Sequence, residues 1–272
     1  MSRPFRFGVV AAPQGPGGAW AARARRVADL GYSTLLAPDN LHLHAPLPAL
    51  AAAAAAAPGL RVCPFVLAAP LRTARATAWE AHTMTALTDG RFDLGLGTGR
   101  PAARAEAEAL GMPWGTATER LEQVRAAVAA LRELDGETRT PVLMAASGPK
   151  ALALAAEVAD VVTLAARPTT SRTEVARMAG DLRARAGDRD PEIAMNLFVV
   201  GDEIPDQAIR WAGPGAAEAL RDPDTLAVLR GTPEEMVAEL ERRRAELGVS
   251  YLAVSEPFAE ALAPVVERIS GR

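Results

Sequence analysis

The sequence predicts a (β/α)8 TIM barrel, on three observations. Eight strand-like runs alternate with eight helix-like segments, the pattern of parallel βα units. The 272 residues suit that count, since such barrels typically take about 250. No linker, charge block or shift in composition divides the chain, so residues 1–272 read as a single domain. An open doubly wound sheet has the same alternation and is the alternative.

In chain order, FRFGVVAA (5–12) is the first strand, rich in aromatic and β-branched residues, with a helix over 17–30. STLLAP (33–38) precedes a helix over 46–57, in which the seven alanines after Leu50 have high helix propensity and stop at Pro58-Gly59. Small side chains there predict close packing, and the smooth face is a candidate contact with a second copy in a homodimer. LRVCPFVL (60–67) pairs with a helix over 73–88, and RFDLGLG (91–97) with one over 116–134. PVLMAA (141–146) and 149–158 follow, then DVVTLA (160–165) and 171–187. EIAMNLFVV (192–200) and 232–247 come next, before VSYLAVS (249–255) and a last helix over 257–270. The Arg/Glu alternation in RLEQVRAAVAALREL and EEMVAELERRRAELG reads as solvated helix faces with i,i+4 pairs.

Composition narrows the partners. A net charge of −3, from 30 basic and 33 acidic residues, offers no field for nucleic acid or an acidic membrane. The single Cys63 forms no internal disulfide, and three histidines give no Cys/His cluster at metal spacing, so no metal is expected. MSRPFRFGVV lacks the apolar core of a secretory signal, and no apolar stretch is long enough to span a bilayer, which predicts a cytoplasmic protein.

In a barrel of this kind function sits where strands end. The loops concerned are AAPQGPGG, PDNLHLH, LAAPLRT, GTGRP and ASGPK. In ASGPKALALAAEVAD, Ser147 can cap a helix, Gly148 permits close approach, Pro149 suits the first helical position and Lys150 adds positive charge, so an anion fits there. In RFDLGLGTGRP, Gly95 packs within the strand. Gly97, Thr98 and Gly99 offer amides and a hydroxyl beside Arg100. A capped helix with a surface lysine, and glycines that serve packing alone, are the structural alternatives. Neither a G-x-G-x-x-G after the first strand nor a P-loop motif occurs.

The passages ARRVADLGYSTLLAPDN, FVLAAPLRTARATAWEAHTMTALTDGRFDLGLGTG, ERLEQVRAAV, ASGPKALALAAEVADVV and GTPEEMVAELERRRAELGVSYL resemble, nearly end to end, the luciferase-like monooxygenase superfamily. The likeness is strongest to its branch that uses the deazaflavin coenzyme F420. It implies the bacterial luciferase-like barrel, with a flavin or deazaflavin ring at the mouth. Asp39 would face the ring's polar edge, and Phe65 and Val66 would lie behind it at a non-proline cis peptide. Gly97, Thr98, Gly99, Arg100, Ala145, Ala146, Ser147, Gly148, Pro149 and Lys150 would surround the phosphate-bearing tail, a side chain at Gly99 standing between loop amides and phosphate.

The chain departs from the family's deazaflavin sugar and alcohol dehydrogenases at Asn40, where they carry histidine, and at Arg100, where some carry an acid. That argues against sugar-phosphate or simple alcohol oxidation. His42 and His44 follow at once, and the expectation is that one of them, His42 first, joins Asn40 in polarising or protonating substrate, on an extended loop where both share a face. The short stretch between Leu134 and Pro141, where longer family members carry insertions, predicts an open mouth. The implied activity is hydride transfer between reduced F420 and a C=C or C=N bond of a small molecule, peptide or natural-product intermediate. The alternatives are an FMN-dependent luciferase-like monooxygenase and a non-catalytic flavin-binding barrel.

Overall fold

The computed structural model describes residues 3–213 and 215–272. Met1 and Ser2, the start of the stretch read for a signal, lie outside them. The chain runs β1 (Arg6–Val10), α1 (Gly17–Asp29), β2 (Thr34–Ala37), α2 (Pro46–Ala56), β3 (Arg61–Pro64), β4 (Leu67–Ala68), α3 (Ala74–Leu87), β5 (Leu94–Gly97), α4 (Ala103–Ala109) and α5 (Ala117–Asp135). It continues with β6 (Val142–Ala146), α6 (Pro149–Val158), β7 (Val161–Leu164), α7 (Arg172–Ala186), β8 (Glu192–Leu197), β9 (Val199–Val200), α8 (Asp206–Ala212), α9 (Ala216–Arg221), β10 (Val228–Leu229), α10 (Pro233–Leu247), β11 (Val249–Ser255) and α11 (Ala259–Ile269).

The main sheet is parallel throughout, in the order β3-β2-β1-β11-β8-β7-β6-β5-β4. Its two ends, β3 and β4, are halves of one strand-like passage, interrupted at Phe65 and Val66. A parallel bridge joins Val62 to Phe92, just before β5, and Leu67 pairs with Leu96. The sheet therefore closes on itself through the third of eight barrel strands, and the result is the predicted (β/α)8 barrel.

Alternation along the strands sorts side chains between barrel interior and helical shell. Phe7 and Val9 join the core beneath the helices, whereas Leu36, Cys63, Leu143, Val161, Ala194, Tyr251 and Ala253 pack inside the barrel. Gly8 makes room for Tyr251, because a Cβ there would lie 2.9 Å from its hydroxyl oxygen. Helix starts are chemically marked: Thr116/Glu119, Ser171/Glu174 and Thr232/Glu235 form reciprocal capping boxes at α5, α7 and α10.

The strands' N-terminal end is closed by charge. Arg6 bonds Glu192 at 2.7 Å and stacks 4.1 Å from the Tyr251 ring centroid, Ser250 donates to Glu192, and Arg61 pairs with Asp93. Burial pushes the Cys63 thiol well above its usual range, which keeps it protonated among these groups. With that end sealed, the opposite mouth is the barrel's open face.

Elements absent from the sequence reading gather at that mouth. The β5-to-α5 connection carries α4, and a small cluster of Ala68, Leu71, Ala103 and Ala107, with Met112 and Trp114 against it, holds it beside the third strand. After β8, the short helices α8 and α9 sit between β9 and β10, which pair in parallel as a second sheet. Arg243 on α10, only 2% exposed, braces this excursion by donating to the Leu226 and Val228 carbonyls at 2.9 and 3.0 Å. It also bonds Glu239 at 2.7 Å. Burial works to raise the Glu239 carboxyl, but hydrogen bonds from Arg243, Arg172 and Arg242 prevail and hold it at about 2.

The short connection between Leu134 and Pro141 does not bear on the mouth. It runs from the end of α5 to the start of β6, and Leu94, the first residue of β5, donates to the Pro141 carbonyl. That is the N-terminal end of the strands, so the open mouth inferred from its brevity is withdrawn. On the outer shell, α3 exposes Trp79 (67%) and Leu87 (71%) beside α2, which carries no charged residue. Among the described residues no helix is long and apolar enough to cross a membrane.

Candidate functional site

A cleft of about 660 Å³ opens at the C-terminal ends of the strands, within the range of small-molecule sites. Five successive barrel strands contribute to it in order around the mouth. Asp39 and Asn40 follow β2, Phe65 and Val66 separate β3 from β4, and Gly97 to Arg100 end β5; Ala145 and Ser147 come from β6, and Ala165 and Arg167 follow β7.

Asp39 is buried and already neutralised. Its carboxylate accepts from Arg72 at 2.7 and 3.1 Å and from the Ala68 N–H at 3.0 Å, with the side chain only 4% exposed. It is therefore a clamp between the loop after β2 and the segment around β4. Asp39 lines the cleft, where the resemblance places it beside the ring's polar edge, and its carboxylate is paired within the protein. The neighbouring Asn40 is different: the residue lines the cleft, and its Oδ1 is buried without a hydrogen-bond partner. A buried acceptor left unmade is unfavourable in a protein interior, so its position on a ligand cleft is chemically informative.

The Phe65–Val66 peptide is cis, as the family resemblance implies. Behind it, Gly95 serves backbone packing: a Cβ at that position would stand 1.8 Å from the Pro64 carbonyl oxygen. Gly97 lies under Val66, with its virtual Cβ 2.8 Å from Val66 Cγ2. Gly99 has φ of +82°, and a Cβ would meet the Trp114 ring at 3.0 Å. Backbone conformation and Trp114 require glycine there, a packing constraint additional to the clearance expected for a phosphate. Trp114 is stacked in turn by Arg120, which also donates to the Thr98 carbonyl at 2.9 Å and so fixes the loop. Arg100 extends from the same loop, 55% exposed, with Glu106 at 3.5 Å.

The loop after β6 separates into inward and outward positions. Ala145 and Ser147 line the cleft, whereas the intervening Ala146 is buried against the helical shell, as strand alternation requires. Gly148, not Ser147, is the N-cap of α6, and no side chain caps this helix. A Cβ on Gly148 would meet nothing within 4 Å, and Ala151 on the first turn lines the cleft. The α6 N-terminus thus presents backbone amides and positive dipole beside open space, an arrangement suited to an anion. Gly148, Pro149 and Lys150 on the same turn do not themselves line the cleft, which this helix start reaches through Ser147 and Ala151; Pro149 and Lys150 are exposed.

The two histidines depart furthest from expectation. Leu43 donates to the Asn40 carbonyl, closing a turn where an extended loop was expected. His44 is exposed, with Nε2 2.9 Å from the Gly15 carbonyl oxygen and its N–H bonded to Pro13. His42 is exposed, and neither histidine lines the cleft. The turn removes the shared face on which their catalytic reading rested. The strand-end reading stopped at the fifth strand and so missed Arg167; extended to the loop after the sixth, it points directly to AARP.

No curated protein matches the sequence. Solved structures match throughout the chain. A coenzyme F420-dependent tetrahydromethanopterin reductase from Methanopyrus kandleri is similar at TM-score 0.76 and 17% identity, covering 98% of both chains. An F420-dependent secondary alcohol dehydrogenase, solved with an F420-acetone adduct, gives 0.73 and 16%, covering 96% of this chain and 99% of the other. The oxygenating constituent of 3,6-diketocamphane monooxygenase from Pseudomonas putida, in complex with FMN, gives 0.69 and 13%, covering 97% and 95%. At these identities the likeness concerns the fold. The sequence profile described as luciferase-like monooxygenase, however, matches residues 4–251, a span that includes every strand end lining the cleft. The chain belongs to the luciferase-like monooxygenase family.

Proposed function

We propose that the chain is a cytoplasmic oxidoreductase that uses coenzyme F420 to transfer hydride to or from a C=C or C=N bond of a small molecule, peptide or natural-product intermediate. The observation that carries this reading is the single cleft joining the Phe65–Val66 wall, the unpartnered Asn40 amide and the open α6 N-terminus. A planar ring with one polar edge and an anionic tail fits that sequence of surfaces. The resemblance of the sequence to the F420-using branch, and the two F420-dependent structures among its fold relatives, favour the deazaflavin over FMN.

Bound there, reduced F420 supplies a hydride from its C5 carbon. The protein's own residues position and select. The α6 first turn, the Ser147 hydroxyl and the Thr98–Arg100 loop hold the anionic tail. Asn40 orients the polar edge of the ring or substrate. Asp39, saturated by Arg72 and the Ala68 N–H, keeps Asn40 in register with the Phe65–Val66 wall. With Asp39 paired and both histidines off the cleft, none of these three is placed to pass the accompanying proton.

Separate titrations of the protein with F420 and with FMN, followed by ring absorbance, test the cofactor assignment. F420 is expected to bind more tightly; tight FMN binding without F420 binding would replace it by the flavin reading. The homodimer is likewise a proposal, supported by the exposed Trp79 and Leu87 beside the uncharged α2. Light scattering should give a two-chain mass, lost in Trp79→Asp, and a one-chain mass for the wild type would remove it.

A further inference from the structure

We infer that Arg167 is a tail-reading residue, which binds carboxylates of the cofactor beyond its phosphate and so distinguishes F420 from FMN. The inference rests on the F420 reading of the cleft. It starts from charge. Asp39 on the lining is matched by Arg72, and Arg100 has Glu106 beside it at 3.5 Å. Arg167 is exposed on the cleft and forms no ion pair among the described residues. It is the lining's one formal charge without an opposite partner there.

Its backbone is held in place. The Arg167 N–H donates to Thr170 Oγ1 at 3.0 Å, Thr170 N–H donates back to the Arg167 carbonyl at 2.9 Å, and Thr225 reaches the Pro168 carbonyl at 3.4 Å. The backbone of Arg167 is therefore anchored on a braced turn of the rim, from which its exposed side chain can reach a ligand in the cleft.

The order of strands supplies direction. The proposed ring wall lies at the third barrel strand, the proposed phosphate cradle at the fourth and fifth, and Arg167 follows the sixth. FMN ends at its phosphate. F420 continues through a phosphodiester into a lactyl oligoglutamate tail, whose carboxylates are the next groups along that course. A planar guanidinium recognises carboxylates by paired N–H donors, and its effect on binding should be sensitive to salt.

The test measures dissociation constants for wild type, Arg167→Ala and Arg167→Lys against three probes: oligoglutamyl F420, the same cofactor trimmed to its phospholactyl form, and FMN. Arg167→Ala should weaken oligoglutamyl F420 by about threefold to tenfold, the scale of an exposed to partly desolvated ion pair. The trimmed form should lose less, FMN should be unaffected, and Arg167→Lys should retain part of the affinity and its salt dependence. An unchanged constant for oligoglutamyl F420, or an equal loss for FMN, would overturn the role while leaving the F420 reading standing. A wild type that binds FMN but neither F420 form would overturn that reading and this role with it.

Discussion

Gly95→Ala is expected to destabilise the protein more than any other single-methyl change in the barrel. The new Cβ would sit 1.8 Å from the Pro64 carbonyl oxygen and 3.1 Å from Cys63 Sγ. The first neighbour is backbone, at the interruption where the third strand passes from β3 to β4, so no side-chain rotation relieves the contact. Overpacking a core typically costs about 1–3 kcal/mol and occasionally more, and this contact should lie at or beyond the upper limit. At about 2–4 °C per kcal/mol for a chain approaching this size, the melting temperature should fall by about 10 °C. Gly59→Ala is the control, because a Cβ there meets nothing within 4 Å. A Gly95→Ala protein that melts with the wild type would show that the third strand can yield, and the packing account of the cleft floor would be wrong.

Arg72→Met should have the second large effect. It leaves the Asp39 carboxylate, 4% exposed, with the Ala68 N–H as its remaining partner. Removing one partner of a buried ion pair costs about 3–5 kcal/mol, much of it from the stranded charge. Because Arg72 itself is 21% exposed, a loss of about 2–4 kcal/mol is the discounted expectation. Asp39→Asn in the same background should recover most of the stability, since the stranded charge is gone. Cofactor affinity should remain reduced, because the clamp that registers Asn40 against the Phe65–Val66 wall is absent. Wild-type melting in Arg72→Met would remove the clamp from the account.

The barrel was legible because its signals are local. Two-residue and 3.6-residue periodicities can be read within a few turns of chain, and the capping boxes at Thr116, Ser171 and Thr232 reinforce three helix starts. The third strand was read as one run because nothing in LRVCPFVL marks where hydrogen bonding passes from one neighbour to the other. Helices α4, α8 and α9, of seven, seven and six residues, are too short for periodicity to separate them from loop.

The site was legible where chemistry follows strand ends, as for Asn40, Val66, Thr98 and Ser147, which one cleft brings together. It was not legible where partners are distant in sequence. Arg72 and Asp39 are 33 residues apart, and nothing near Asp39 indicates that its charge is consumed. His42 and His44 misled for the same reason: the turn closed by Leu43 and the bond to Gly15 depend on packing against the loop after β1. Gly99 stands out in the sequence as a cofactor position, but the packing that requires glycine there comes from Trp114, a residue fifteen places along the chain.

The central claim, that the mouth cleft and the α6 N-terminus hold the cofactor's anionic tail, is tested most directly by the F420 dissociation constant of Gly148→Val. Gly148 has ordinary extended backbone angles, φ −87° and ψ 160°, and its Cβ direction is free of protein atoms, so the substitution reports on ligand more than on fold. Charge-assisted hydrogen bonds contribute about 1.5–3 kcal/mol, so screening one of them from the tail should weaken binding by about tenfold or more, with the melting temperature nearly unchanged. A folded Gly148→Val protein that binds F420 as tightly as the wild type would place the tail elsewhere and contradict the account.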